Sequence, residues 1–245
     1  MLIDAHCHLE FFEDADDVIE RAKKAGVVAI VASGLNPQRN RQALEISAKN
    51  KMVKAAIGIY PADGLKMTDA ELKEELDFIE RNKDKIIAIS EIGLDLEEAE
   101  NLERQTKIFE MQLELAHKLG KPVVVHSRKA EKETIEVLSR HKDLAVVMHA
   151  FHGNVELAKK SGFYYTIAAN IGRSDHLQRM TRELPMSRLL TETDAPFLAP
   201  EKGGRSEPAD VALAVKKIAE IKGLDAEEVK KMIFANYQKV FGTTL

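Results

Sequence analysis

The chain carries a single cysteine, Cys7, and no tryptophan among its 245 residues. One thiol cannot form an internal disulfide framework, so the fold has to rest on a buried core, and a reducing cytosol suits it. Long apolar runs are missing as well. No stretch approaches the roughly 20 residues of a membrane-spanning helix, and none has the layout of a signal peptide ahead of the first strand. The expectation is a cytoplasmic protein with no membrane partner. A basic excess is also absent: 36 Lys and Arg face 40 Asp and Glu, for a net charge of −4. No global positive field advertises nucleic-acid binding, which would have to rest on local patches and bound cations. Nor is this a disordered composition, because 44% of the residues are hydrophobic and supply a sizeable core.

What the chain does have is alternation. Strand-like segments are expected at 4–9, 27–34, 53–60, 86–94, 123–126, 145–150, 164–169 and 189–194. Some, such as VVAIVASG after Gly26, are continuous apolar runs of the kind buried on both faces of a parallel sheet. Helical periodicity fills the gaps at 14–26, 37–50, 101–119, 131–141, 155–160 and 176–184. A further helix is capped by Thr68 with Glu71 at capping-box spacing, and Gly120 is a stop signal. Two more helices, 208–222 and 226–241, follow the last strand. Eight strand–helix units in about 250 residues match the size of a (β/α)8 barrel. An open doubly wound sheet would carry a Gly-rich phosphate turn after its first strand, whereas this one ends in His-Cys-His. The expected fold is α/β, a single (β/α)8 TIM-barrel domain over 1–245 with an extra C-terminal helix.

In such barrels the active site is built at the carboxyl ends of the strands. The titratable residues there are His6 and His8 on strand one, Glu91 on four, His126 on five, His149 on six, and Glu192 and Asp194 on eight. His6 and His8 lie at the strand period of two, so both rings leave one face, with alpha carbons about 6.6 Å apart. Rings of that reach converge on one ion, while Cys7 points the other way. A carboxylate inside a run such as IIAISEIGL is costly to bury without a partner. Bound metal, as in amidohydrolase-like sites, satisfies all these groups together. Four histidines and two carboxylates exceed the needs of one tetrahedral zinc and suit two ions about 3.5–4 Å apart with a bridging carboxylate. The expected assignment is His6, His8, Glu91 and Asp194 on one ion, and Glu91, His126 and His149 on the other. These ions, Mg2+, Mn2+ or Zn2+, would activate water for hydrolysis, with Asp194 placed to take its proton.

DAHCHL, SEIGLD, VVVHSR, HAFHG, TETDAPFL and RSEP occur in that order. Together they resemble the TatD-like metal-dependent hydrolases, across nearly the whole chain. The resemblance implies the barrel, two divalent ions at the strand ends and deoxyribonuclease activity, in some members exonucleolytic from the 3′ end. It also points to Glu192, which shares the inward face with Asp194, as a catalytic residue beside Asp194 and Glu91. Four stretches depart from the family's pattern, one of them Arg205-Ser206-Glu207-Pro208 where the family reads RxNEP. GxHP is here Gly58-Ile59-Tyr60-Pro61, so Tyr60 replaces a histidine thought to face the substrate. HCFSG is His149-Ala150-Phe151-His152-Gly153, which sets His152 beside the site. The stretch LDLEEAEN, from Leu94, lacks the usual aromatic and basic residues.

Substrate contacts are accordingly expected from Tyr60, His152 and the loop arginines Arg128, Arg205 and Arg173, since a guanidinium clamps phosphate oxygens bidentately. Asp95 is a candidate for orienting a loop or a ligand histidine. His117, His141 and His176 fall on helices, away from the strand ends. The leading expectation is a phosphodiesterase acting on DNA ends, with RNA as a second substrate class, and a monomer or weak oligomer. The competing expectation is an amidohydrolase-type hydrolase of an amide, lactone or cyclic imide, because the same metal barrel supports that chemistry. Many of those enzymes bridge their metals with a carboxylated lysine, and Glu91 at the strand-four position favours the phosphodiesterase.

Overall fold

The computed structural model describes residues 1–242. Eight strands form one parallel sheet in sequential order: β1 (Leu2–Cys7), β2 (Val27–Ser33), β3 (Val53–Ile57), β4 (Ile86–Asp95), β5 (Val123–Arg128), β6 (Val146–Met148), β7 (Tyr164–Ala168) and β8 (Leu189–Glu192). Backbone ladders join each strand to the next, from β1–β2 to β7–β8. The seam where β8 returns to β1 is closed by other means. The Asp4 carboxylate accepts bonds from Thr193 N and Thr193 Oγ1 (2.9 and 2.5 Å), and Thr191 Oγ1 donates to Ile3 O at 2.6 Å. Asp194 N then donates to His6 O and His8 N to Ala195 O, at 3.0 and 2.7 Å. The result is the expected parallel barrel.

The helices pack outside it: α1 (Ala15–Lys24), α2 (Pro37–Lys49), α3 (Pro61–Gly64), α4 (Asp69–Arg81), α5 (Leu102–Leu119), α6 (Glu131–Leu138), α7 (Val155–Ser161), α8 (Asp175–Glu183), α9 (Val211–Lys222) and α10 (Ala226–Phe241). Their starts follow the side-chain chemistry. Thr68 and Glu71 form the reciprocal capping box of α4, and Asp225 accepts from Glu227 N at the start of α10. The apolar strands and the inner faces of the helices merge into one large core. A buried ionic knot fastens two helices to it: Glu75 of α4 takes Arg41 of α2 at 2.6 Å and Asn40 Nδ2 at 2.7 Å. Asn40 also donates to Gly58 O, just beyond β3.

Two expected strands exceed those observed by three residues each. The segment at 53–60 stops at Ile57, because Tyr60 N turns to bond Leu35 O and Pro61 opens α3. The segment at 145–150 contracts to Val146–Met148, as the chain bends away at Ala150 with φ of 41°.

Candidate metal centre

The carboxyl ends of β1, β4, β5 and β6, with the turn after β8, deliver one buried cluster. His6 and His8 leave β1 on the same face, and their Nε2 atoms lie 3.3 Å apart. Each of these nitrogens is 3.3 Å from Glu91 Oε2, and they are 3.4 and 3.5 Å from Asp194 Oδ1. On the opposite side, Glu91 Oε1 lies 2.8 Å from His126 Nδ1 and 3.3 Å from His149 Nε2. Two sets of donors therefore meet on the two oxygens of one carboxylate.

Local backbone makes these approaches feasible. Gly93 lies on β4 opposite His126 of β5, with φ of +138°. A Cβ there would fall 2.0 Å from His126 O, so only glycine lets the two strands run this close. Asp194 sits in the left-handed region with φ of 53°, a conformation Asp tolerates better than most residues and one that gathers at functional sites.

The outer nitrogen of each ring is engaged. His8 Nδ1 donates to Ser33 O at 2.9 Å, with Glu10 Oε1 at 3.2 Å. His6 Nδ1 meets Ser33 Oγ at 3.0 Å, and Ser33 Oγ meets Ser90 Oγ at 2.9 Å. His126 Nε2 donates to Asp95 at 2.9 Å, and His149 Nδ1 to Glu192 at 3.2 Å. Each ring thus has a partner for its outer nitrogen, which orients the inner nitrogen toward the centre, where a metal ion would take the place of its proton. Ligand atoms 2.0–2.1 Å from a tetrahedral ion stand about 3.4 Å from one another, and the first donor set has that spacing. Residue types, ring orientations and distances all fit a divalent cation. Among the described residues, three overlapping groups qualify: His6, His8 and Glu91; His6, His149 and Asp194; and Glu91, His126 and His149.

The electrostatics run the same way. Burial pushes the Glu91 carboxyl up, but the charge of His149 and hydrogen bonds from His126, His149 and His6 hold it well below the usual carboxylate range. Burial likewise opposes Asp194, and contacts with His6 and His8 keep it low. Burial pulls the His8 ring down, yet Asp194, Glu10 and Glu91 hold it well above 6.5. His149 is raised by Glu91 and Glu192, and His126 by Asp95 and Glu91, again against burial. Anionic carboxylates thus hold protons on the inward imidazole nitrogens, and a bound cation would take the place of those protons.

The remaining sequence candidates lie around this cluster. Glu192 stands behind His149, and its Oε1 also accepts from Ala150 N at 3.1 Å, so it touches a ligand ring from outside. Tyr60 Oη donates to Asp95 at 2.6 Å and lies 3.5 Å from His126 Nε2. Burial, then the bond to Asp95, push its hydroxyl far up, so it stays a donor. Arg128 is paired with Asp95 at 2.7 Å and Glu98 at 2.6 Å. Arg205 is paired with Asp14 at 2.8 Å and lies over the Phe12 ring. Arg173 donates to Ala199 O at 2.9 Å. His152 is exposed, donates to Ala150 O and stacks on His176, outside the cluster. Sequence reasoning missed Ser33, Ser90 and Glu10. A carboxylate two residues past His8 and a serine ending the neighbouring strand were the available signals.

The sequence profile described as TatD related DNase matches residues 3–242. The human deoxyribonuclease TATDN3 is 36% identical, over 98% of this chain and 94% of its own length. A metal-dependent hydrolase of Methanocaldococcus jannaschii is 38% identical over 98% and 96%. Among solved structures, the TatD homolog YjjV of Escherichia coli superposes with a TM-score of 0.90 at 27% identity, covering 99% of this chain and 98% of that one. The chain belongs to the TatD family and is a metal-dependent hydrolase.

Proposed function

We propose that the chain hydrolyses phosphodiester bonds of DNA from a 3′ end, with two divalent ions sharing Glu91. The observation that carries this reading is the division of Glu91, whose Oε2 faces His6 and His8 while its Oε1 faces His126 and His149. Bound there, the ions would polarise the phosphoryl group and bring the pKa of a water near neutrality. His6, His8 and Asp194 would hold one ion, and His126 and His149 the other. Asp194 uses Oδ1 toward the two histidines, which leaves Oδ2 to accept the proton of the attacking water. Glu192 and Asp95 keep the His149 and His126 rings oriented and act as positioning residues. The deoxyribonuclease name of the human relative supports DNA, with RNA as a second substrate class. The same reading takes 1–245 as a single domain working in the cytoplasm as a monomer or weak oligomer.

The test is cleavage of 3′- and 5′-labelled single-stranded DNA by metal-stripped protein, with Mg2+, Mn2+ or Zn2+ added back. A ladder growing from the 3′ end, dependent on metal and absent in Glu91→Ala, is the expected result. Protein that binds metal but leaves DNA and RNA intact would sink the nuclease reading and redirect the search to amides and lactones.

A further inference from the structure

Charge pairing separates the arginines near the barrel mouth into two classes. Arg128 and Arg205, which sequence position offers for phosphate, are held by carboxylates. Arg39 and Arg173 have no carboxylate partner among the described residues. Arg39 donates to Glu10 O and to Gln42 Oε1, and Arg173 to Ala199 O. Glu10 follows His8 by two positions, and Arg173 lies in the turn after β7, so both cations stand on the face of the barrel that carries the metal centre.

Two exposed aromatic rings stand at the same place. Phe11 and Phe197 are 39% and 49% exposed, and they touch edge to face with centroids 5.6 Å apart. Each also meets the His8 ring edge-on, at 5.8 and 5.9 Å. The Arg39 guanidinium lies 4.0 Å over the Phe11 ring. Leaving two contacting rings in water forgoes burial that aromatic side chains normally obtain, and such patches mark binding surfaces. Their neighbour, His8, already lines the donor cluster, so a group resting on them sits beside the reacting centre.

We infer that Phe11 and Phe197 form a stacking platform for an unpaired nucleobase next to the cleaved phosphodiester, with Arg39 and Arg173 taking the flanking phosphates. A ring face accepts any base, and a cation without a carboxylate partner supplies the backbone attraction, the two parts of single-strand recognition. The preferred substrate is therefore a single-stranded end of mixed sequence. The inference rests on the phosphodiesterase reading, and the experiment separates the two.

Binding of a short single-stranded DNA is followed by fluorescence anisotropy with Ca2+ as the only metal, alongside a series in which one nucleotide at a time is abasic. Stacking of one base predicts that wild type loses about 5- to 150-fold in affinity at one abasic position. Phe197→Ala binds the intact strand weaker by a similar factor and no longer responds to that abasic position, while Phe197→Tyr restores both. Arg39→Gln and Arg173→Gln each flatten the salt dependence of binding. Wild type that binds every abasic strand equally, or fails to bind the intact one, overturns the platform, as does a Phe197→Ala protein that still discriminates. Hydrolysis of bis(p-nitrophenyl) phosphate by wild type is measured in parallel. Turnover without base preference removes the platform and keeps the phosphodiesterase, whereas base preference without turnover does the reverse.

Discussion

Glu192 shows how much of this site depends on side chains that never face its centre. Its carboxylate fixes the His149 proton on Nδ1 and so turns Nε2 inward. Partners of this kind are worth about 10- to 100-fold in metal affinity. Glu192→Ala should weaken Mn2+ or Zn2+ binding by that factor in calorimetry, and Glu192→Gln, which still accepts a hydrogen bond, should lose less. Equal affinity in wild type and the alanine variant would assign Glu192 some other task. At this scale the inner donors were legible, because strand period and strand-end position place them without knowing their neighbours. Ser33 and Ser90 were not, since the bonds of Ser33 to His6 and of Ser90 to Ser33 depend on how the strands are registered, and Glu10 meets His8 only through the local turn after β1. The pairing of Arg128 with Asp95 and Glu98 was hidden for the same reason: a loop must fold before its charges have partners.

Among the elements, β4 bears the tightest constraint. A methyl group at Gly93 would meet His126 O at 2.0 Å, and the backbone there is left-handed. Gly93→Ala should therefore force β4 from β5, costing roughly 3 kcal/mol or more in urea unfolding and weakening metal binding as Glu91 and His126 separate. Thr68→Ala provides the contrast. It removes one half of the α4 capping box on an exposed helix end, so stability should fall by about 1 kcal/mol with metal affinity unchanged. An alanine at Gly93 that costs no more than the one at Thr68 would show that the strands have slack. Helix starts were readable because caps act over three residues of sequence. The short helix α3 and the brevity of β6 were not, because the turns at Tyr60 and Ala150 answer to tertiary contacts.

For the whole molecule, the metal-free protein is a set of carboxylates balanced by histidines. His8, His126 and His149 have folded pKa values above the ordinary 6.5. Their stabilisation is complete below about pH 6.5 and is lost as pH rises through the raised folded values. Metal binding needs the same nitrogens deprotonated, so its contribution grows over that range. The Tm of stripped protein should decline from about pH 6.5 upward while the Tm gain on adding Mn2+ or Zn2+ increases, as followed by circular dichroism. A gain that shrinks with rising pH would contradict the ligand set.

The seam between β8 and β1 also governs when the protein becomes an enzyme during its synthesis. Asp4 and Thr193, which close it, are 189 positions apart. His6 and His8 leave the ribosome well before Asp194, which follows seven further strands. A growing chain therefore displays an imidazole pair early but has no completed pocket to align it. Hydrolytic competence is withheld until β8 and the turn after it have emerged.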